Sequence, residues 1–308
     1  MATNEQGKIN YLKLGMGIVC IALYVVLISL PTPAGLPPAG QKALALMITA
    51  IVCWTFEVVP FGIASALFLM LLPVLGIVPM GTAMATFAIP TVFFILASFC
   101  FAGGFIGTGL GYRCGLSVSA MFGQSAPKVL LAFMVSTAAI SAFLADIPTA
   151  IVFASIAYPI LQKNECIPGK SNFGKAMMMG IPIAAAIGGF GTPAGSGLNV
   201  LALNLLKNTG NVDVNFAQWS AVGIPFAAIL TVIAWYVLIK MIPPEIDRVE
   251  GLDDIKAERD KLGPMTGKEK IFCTIFLITL ILWFTSIWTK LDIAVIAMVG
   301  ATVLFFPG

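Results

Sequence analysis

Apolar segments of about bilayer-spanning length follow one another along almost the whole chain, and they limit what it can fold into. They cover approximately residues 14–30, 42–58, 61–78, 87–107, 129–145, 147–161, 176–206, 217–241, 271–288 and 291–306. A transmembrane helix needs about 20 such residues. Only 10% of the residues are charged, against about 25% in soluble domains. The sequence therefore predicts an all-α, polytopic membrane protein.

The basic residues predict the orientation of the chain. The first apolar segment follows Lys8 and Lys13 and resembles a signal peptide, but it lacks a clear cleavage site and further spans follow, so we interpret it as a retained span. With the N-terminus in the cytoplasm, all but three of the 17 basic residues lie inside, the exceptions being Lys42, Lys207 and Lys290. This positive-inside bias predicts a multi-pass protein of the plasma (inner) membrane.

Two segments do not fit simple spans. As one helix, residues 129–161 would be about 50 Å long, too long for one crossing and too short for two, and their middle is broken before Pro148. We predict a re-entrant helical hairpin whose tip reaches membrane depth from the cytoplasm. Residues 187–197 contain five glycines and a proline, which predict a broken helix lining a cavity. The strongly charged stretch 243–270 is predicted to be a cytoplasmic connector, either a loop or an interfacial helix.

Asp146 is the most informative polar residue, because a charge at membrane depth costs roughly 2.5–3.5 kcal/mol on insertion scales. It is a candidate cation ligand or proton carrier; alternatively, it caps a helix that restarts at Ile147. Ser141 could coordinate Na⁺ through its hydroxyl or bond back to its own helix. Glu57, beside Pro60, could extend to the membrane surface or stabilise a helix break, and we favour a structural role.

The glycine-rich break supplies further candidates. Its unwound turn at Gly191 and Thr192 would expose carbonyl oxygens to a cation, and a helix restarting near Asn199 would favour an anion at its N-terminus, next to Ser196. A small-residue packing face is the alternative, but Pro193 favours unwinding.

Several functions are disfavoured. The chain has no histidine, so residues 195–197, which are similar to a serine-protease loop, have no histidine base. An aspartyl mechanism needs two neighbouring membrane carboxylates, and only Asp146 lies deep, so we do not expect an enzyme. The six cysteines form no C-x-x-C pair, which argues against zinc or a disulfide framework. No organic cofactor and no nucleic-acid partner is predicted. A channel or a non-transporting membrane scaffold remains the alternative to a transporter.

Together these motifs resemble the divalent anion/sodium symporter family, the INDY-type dicarboxylate and sulfate carriers. Residues 53–60 (CWTFEVVP) are similar to its aromatic-Thr-Glu-x-x-Pro signature, residues 141–149 to its first hairpin tip, and residues 188–199 to its broken-helix motif. The resemblance implies an elevator-type fold, Na⁺ as coupling ion, a small anionic substrate and a homodimer. It implies a cation site formed by Ser141, Ala145, Asp146, Gly191 and Thr192. It implies a substrate site that involves Asp146, Ile147 and Thr149, to which the helix start beside the glycine-rich break adds Ser196 and Asn199.

The tip departs from the family pattern, reading Ala145-Asp146-Ile147 in place of Ser-Asn-Thr. Residues 195–199 (GSGLN) likewise stand in place of Gly-Thr-Pro-Pro-Asn. An ionised Asp146 would repel a dianion and strengthen cation binding, whereas a protonated one would donate as the amide does. Coupling to H⁺, or a less anionic substrate, is therefore an alternative to a Na⁺-coupled dicarboxylate carrier.

The domain organisation is predicted as scaffold spans (1–128), a transport-domain hairpin and broken helix (129–216), a span (217–242), the connector (243–270) and the start of a second repeat (271–308). Trp54 and Pro73 have the same spacing as Trp288 and Pro307, which suggests an inverted repeat. The counterparts of Asp146 would then fall beyond Gly308. We therefore expect a fragment, or a chain that needs a partner, with its second repeat incomplete.

Overall fold

The computed structural model describes residues 11–119 and 123–306, and their regular structure is helical apart from an isolated antiparallel bridge between Ser125 and Arg248. The predicted positions that involve Lys8 and Pro307 lie outside these residues. The helices are α1 (Tyr11–Ser29), α2 (Pro38–Thr55), α3 (Phe61–Val74), α4 (Met80–Phe87), α5 (Pro90–Gly107), α6 (Leu110–Ser119), α7 (Ala126–Ser141), α8 (Asp146–Lys163), α9 (Asn172–Gly189), α10 (Gly197–Gly210), α11 (Phe216–Met241), α12 (Leu252–Lys261), α13 (Gly267–Phe284), α14 (Ser286–Thr289) and α15 (Ile293–Leu304).

The all-α prediction is confirmed, and most predicted segments correspond to helices. The segment predicted at 87–107 starts only at Pro90, because the chain breaks between α4 and α5 at residues 88–89. Helix α6 was not predicted, since its sequence mixes glycine, Tyr112 and Arg113 among apolar residues. The predicted connector contains α12, in line with its helical alternative.

Three helices of the described chain are long and apolar enough to cross a bilayer by length and composition: residues 12–29 of α1, then α5 and α11. Helices α3, α7 and α15 are apolar but shorter. The exposed surfaces of the long helices are rich in large apolar side chains, such as Val222, Ile229 and Ile233 on α11. Such surfaces suit a lipid environment.

The chain divides into two compact units, the first ending at Ile89 and the second beginning at Pro90. In the first, α2 ends in a paired-bond C-cap. The N–H of Glu57 donates to Trp54 O at 3.2 Å, and the N–H of Val58 donates to Cys53 O at 3.1 Å. This is a Schellman motif, in which the residue after the cap adopts the left-handed conformation; here Glu57 does so, with φ of 45°. The Glu57 side chain is exposed, so its position at a helix break agrees with a structural role.

The second unit holds two buried apolar clusters. One joins α7, α8, α9 and α11 through residues such as Phe133, Phe153 and Phe173. The other joins α5, α13 and α15 around Trp283, and it also contains Leu144 and Ala194. These last two residues belong to the hairpin turn and to the break after α9. The second cluster therefore includes a residue of the hairpin turn and a residue of the broken segment.

One short segment, residues 243–250, forms hydrogen bonds with the start of α7, the end of α8 and the start of α9. The N–H of Ala126, at the start of α7, donates to Asp247 O at 3.1 Å. At the end of α8, Asn164 Nδ2 donates to Glu250 O at 3.0 Å, and the N–H of Glu250 donates to Asn164 Oδ1 at 2.9 Å. The Glu245 carboxylate accepts from the N–H of Phe173, at the start of α9, at 2.6 Å. Both free ends of the α7–α8 pair therefore lie against one segment, as the two arms of a hairpin do.

Candidate functional site

The turn of the hairpin is short and almost entirely buried. Helix α7 ends at Ser141, residues 142–145 form the turn, and α8 begins at Asp146. The expectation that Asp146 caps a helix starting at Ile147 is wrong: Ala145 occupies the cap position without a side-chain cap bond, and Asp146 is the first helical residue. Its Oδ1 accepts from the N–H of Ile147, at 2.8 Å. Among the described residues, no hydrogen bond or ion pair reaches Oδ2, and the side chain is half-buried.

The break between α9 and α10 spans residues 190–196, and the structure restarts the helix at Gly197 rather than near Asn199. Side chains satisfy much of its unwound backbone. Thr192 Oγ1 accepts from the N–H of Ala194 at 3.1 Å. Asn199 Nδ2 donates to Gly189 O at 2.7 Å and to Thr192 O at 2.8 Å. Trp219 Nε1 donates to Phe190 O at 3.0 Å. An irregular backbone can persist inside a membrane protein when its polar groups are paired in this way.

The hairpin tip and the broken helix meet through direct hydrogen bonds. The Thr192 hydroxyl donates to Ala142 O at 2.5 Å, and the Ser141 hydroxyl donates to Ala185 O at 2.6 Å. The alternative in which Ser141 bonds back to its own helix is therefore wrong, because its acceptor belongs to α9. Both hydroxyl-bearing residues are fully buried.

Two glycines mark how closely these segments approach. A Cβ placed on Gly189 would lie 3.3 Å from Asp146 Cβ, 3.3 Å from Gly195 O and 3.6 Å from Ser141 Oγ. A Cβ on Gly195 would lie 2.5 Å from Gly189 O and 2.6 Å from Ser141 O. Three chain segments thus converge, and we call this region the tip junction: residues 141–146, 189–195 and Asn199.

The structure brings together most of the predicted site residues. Ser141, Ala145, Asp146, Gly191, Thr192 and Asn199 all belong to the tip junction. Three residues predicted for substrate contact are placed differently. Thr149 is buried, with its hydroxyl donating to Ala145 O at 3.0 Å; Ile147 is 66% exposed; and Ser196 is half-buried at the cap position of α10, making no side-chain cap bond. Asp146 is therefore the polar side chain of the α8 start that remains accessible.

The oxygen atoms of the tip junction suit a hard cation. Among the described residues, no three Cys, Asp or Glu side chains cluster in a way that could hold a metal ion, so a cation here would be bound by one carboxylate and neutral oxygens. Unwound carbonyls and helix ends are the usual ligands of Na⁺ in transporters. Two candidate carbonyls are already occupied: Ala145 O accepts twice from Thr149, and Thr192 O accepts from Gly195 N and Asn199 Nδ2.

Several contacts of the junction were not predicted from the sequence. They involve the backbone carbonyls of Ala142, Ala185 and Gly189 and the indole of Trp219. Backbone carbonyls carry no sequence signature. The adjacent glycines 188 and 189 are the one sequence feature that indicates a close helix contact here. Helix α9 approaches α7 so closely that a Cβ on Gly188 would overlap the Ala138 backbone.

A helical architecture with lipid-compatible surfaces, together with a hairpin tip packed on a broken helix, is that of a multi-pass membrane protein. Comparison with known proteins agrees. A match to the family described as "Sodium:sulfate symporter transmembrane region" covers residues 12–308. The chain therefore belongs to this family. The resemblance to the anion/sodium symporters is confirmed, as is the expectation of a carrier rather than an enzyme family.

Individual relatives are similar over most of the chain. A protein named "Sodium-dependent dicarboxylate transporter SdcS" from Staphylococcus aureus (strain NCTC 8325 / PS 47) is 29% identical over 269 positions, covering 82% of this chain and 50% of the relative. A protein named "Membrane protein" from Cupriavidus necator is 25% identical over 309 positions, covering 93% of this chain and 59% of the relative. The chain thus spans little more than half the length of these relatives.

Proposed function

We propose that this chain forms the cation site and one half of the substrate site of a secondary transporter, which couples Na⁺ to the movement of small dicarboxylate or sulfate-like anions by an elevator mechanism. The observation that carries the proposal is the tip junction, where Thr192 bonds the hairpin turn and Asn199 of α10 bonds the end of α9 and the break itself. Family membership and the name of the Staphylococcus aureus relative support the same function.

Within the junction, Asp146 is the proposed central cation ligand. Its unpaired oxygen and its half-buried position leave it accessible, and a nearby cation would offset its charge. Ser141 and the 191–192 turn are the proposed neutral partners. Ala145 and Thr192 can contribute carbonyls only after they release hydrogen bonds that they now accept. The proposed substrate contacts are Asp146, Ile147, Ser196 and Asn199, whereas Thr149 would act by holding Ala145.

The direct test is uptake into proteoliposomes that contain the complete transporter of which this chain is proposed to form one part. Labelled succinate and labelled sulfate are offered separately, with Na⁺ either present or replaced by choline, and with the external pH varied. We expect saturable uptake that requires Na⁺. Uptake that follows pH and ignores Na⁺ would replace Na⁺ by H⁺ as coupling ion. Uptake that neither saturates nor responds to either ion would identify a channel, and no uptake under any condition would favour a scaffold.

The elevator mechanism has its own test. Ile147 is exposed at the proposed tip, so a cysteine introduced there should react with membrane-impermeant thiol reagents from either side, depending on Na⁺ and substrate. Val232 on α11, 48% exposed, offers a control position that should not change with ligands. Reaction of Ile147→Cys from one side only, under all conditions, would contradict alternating access.

A further inference from the structure

A cavity of about 480 Å³ lies beside α10 in the second unit. Val200, Leu203, Asn204 and Lys207 line it from this helix. Their spacing of three to four residues places them on one helical face. The volume falls within the range of about 300–1,000 Å³ that is typical of small-molecule sites. Because Val200 directly follows Asn199, the cavity begins next to the tip junction and runs along α10 away from it.

The opposite wall of the cavity comes from the loop before α11 and from the region around α14 and α15. It consists of Asp213, Val214, Asn215, Phe216, Ser286, Ile287, Lys290, Leu291, Asp292, Ile293 and Ala294, with Pro90 at the start of α5. Two helices, α11 and α15, begin at this wall. The N-terminal end of a helix carries partial positive charge. At α15 the Asp292 carboxylate offsets this charge, whereas the cap of α11 is the neutral Asn215, so α11 adds to the positive potential of the cavity.

Two lysines and two aspartates line the cavity, so their formal charges sum to zero, and the pairing of each one decides the local potential. Lys207 and Asp213 form an ion pair at 3.4 Å, but both side chains are well exposed, and such pairs are weak. Asp292 Oδ1 accepts from the N–H of Ala294 at 2.7 Å and so caps α15. Among the described residues, no carboxylate lies within ion-pair distance of Lys290. Lys290 is therefore the lining cation that has no ion-pair partner among the described residues.

We propose that this cavity is a second anion site, which binds a small carboxylate through Lys290, with Lys207 as the weaker cationic contact. Such a site would concentrate anions next to α10 and so deliver them to the tip junction. The proposal rests on the proposed function for the identity of its ligand, but its charge and its shape are independent of transport. It is also separate from the tip junction, because none of the proposed cation ligands lines the cavity.

The test measures the electrostatic potential of the cavity through the reaction rate of an introduced thiol. The whole chain is placed in lipid nanodiscs, where both faces of the bilayer are accessible to reagents. A cysteine is introduced at Ile287, which lines the cavity and is 48% exposed. Its rate of reaction is compared between an anionic sulfonatoethyl and a cationic trimethylammonioethyl methanethiosulfonate, after subtracting the rate of the chain without this cysteine. We expect the anionic reagent to react faster, and succinate to slow it at constant ionic strength.

Adding Lys290→Gln should lower the ratio of the anionic to the cationic reaction rate about fivefold. Removing one positive charge slows the anionic reagent and speeds the cationic one, so both changes lower the ratio. Lys207→Gln should lower the ratio less. A cysteine at Val212, which is 49% exposed in the loop before α11 but outside the cavity lining, should show no protection by succinate. Equal rates for the two reagents at Ile287→Cys, or the absence of succinate protection there, would overturn the proposal.

The outcomes separate this site from the transport function. If Na⁺-dependent uptake fails while succinate still protects Ile287→Cys, the proposed function is wrong and the cavity site stands. If uptake proceeds while protection is absent, the cavity site is wrong and the proposed function stands.

Discussion

Gly195 lies where the hairpin and the broken helix approach most closely, and its substitution by alanine tests that packing. The added Cβ would meet Gly189 O at 2.5 Å and Ser141 O at 2.6 Å, and backbone atoms cannot rotate away as side chains do. Overpacking costs about 1–3 kcal/mol, and we expect Gly195→Ala near the upper end. Thermal unfolding in detergent measures the loss. Gly103→Ala in α5, where no heavy atom lies within 4 Å, is the control. Equal midpoints for the two variants would contradict the observed packing.

Asp146 carries the charge of the tip junction, and Asp146→Asn removes that charge at nearly constant size. A carboxylate about 4 Å from a cation contributes up to about 4 kcal/mol at an effective dielectric constant near 20. Losing part of this should weaken Na⁺ binding at least tenfold. The measurement is the rise in unfolding temperature with Na⁺ concentration, which does not depend on transport. Asp213→Asn, at an exposed position, serves as the matched control. An unchanged Na⁺ response in Asp146→Asn would remove Asp146 from the cation site.

At the scale of elements, the hairpin depends on both of its ends reaching the same membrane face. Lys128 and Lys163 are exposed near those ends, and the adjoining residues Ala126 and Asn164 bond to the same connector segment. Cysteines at 128 and 163 should therefore react with an impermeant reagent from one side only, and from the same side. Lys207→Cys should react from the other side, as the positive-inside pattern predicts. Labelling of 128 and 163 from opposite faces would exclude a re-entrant hairpin and, with it, the proposed site.

At the scale of the whole molecule, the connector is anchored by an ion pair. Arg113 Nε donates to Glu269 Oε1 at 2.8 Å, and its other nitrogens donate to the carbonyls of Gly263, Leu262 and Pro264. Glu269 also completes a capping box with Thr266 at the start of α13. The hydrogen bond from Arg113 is the main cause that lowers the pKa of Glu269 below its usual value of 4.5, while burial opposes it.

This pair predicts a pH dependence of stability. Because the folded-state pKa of Glu269 is lowered, its stabilisation is complete above the unfolded pKa of about 4.5 and is lost as the pH falls through the folded value. Glu269→Gln should cost about 3 kcal/mol at neutral pH, as expected for breaking a buried pair, and this difference should shrink in acid. Unfolding temperature against pH measures it, with the more exposed Glu258→Gln for comparison. If the stability difference between Glu269→Gln and the unmodified chain stayed constant with pH, it would contradict a stabilising Arg113–Glu269 ion pair.

Much of the architecture could be predicted from the sequence, because its causes are local. Low charge density and long apolar runs require lipid as solvent. Pro148 and the glycines of 187–197 predicted the two helix breaks, since proline disfavours helix at the preceding residue and glycine weakens it. Helix α6 was missed because it is short and mixes polar with apolar residues, so that it is not apolar enough to be recognised as a span. The elevator motion, the orientation and the homodimer stay predictions.

The identity of the hydrogen-bond partners at the tip junction could not be predicted. The sequence alone determined that Ser141, Asp146, Thr192 and Asn199 lie at interruptions of apolar helices, because breaks and hydropathy depend on neighbouring residues. Only the tertiary structure decided that Ser141 bonds Ala185, that Thr192 bonds Ala142 and that Thr149 bonds within its own helix. These hydrogen bonds depend on how α7, α8 and α9 pack, and the bonded residues can lie tens of positions apart in the sequence. Every residue carries the same backbone carbonyl, so the sequence does not show which carbonyl will accept a bond from a given side chain.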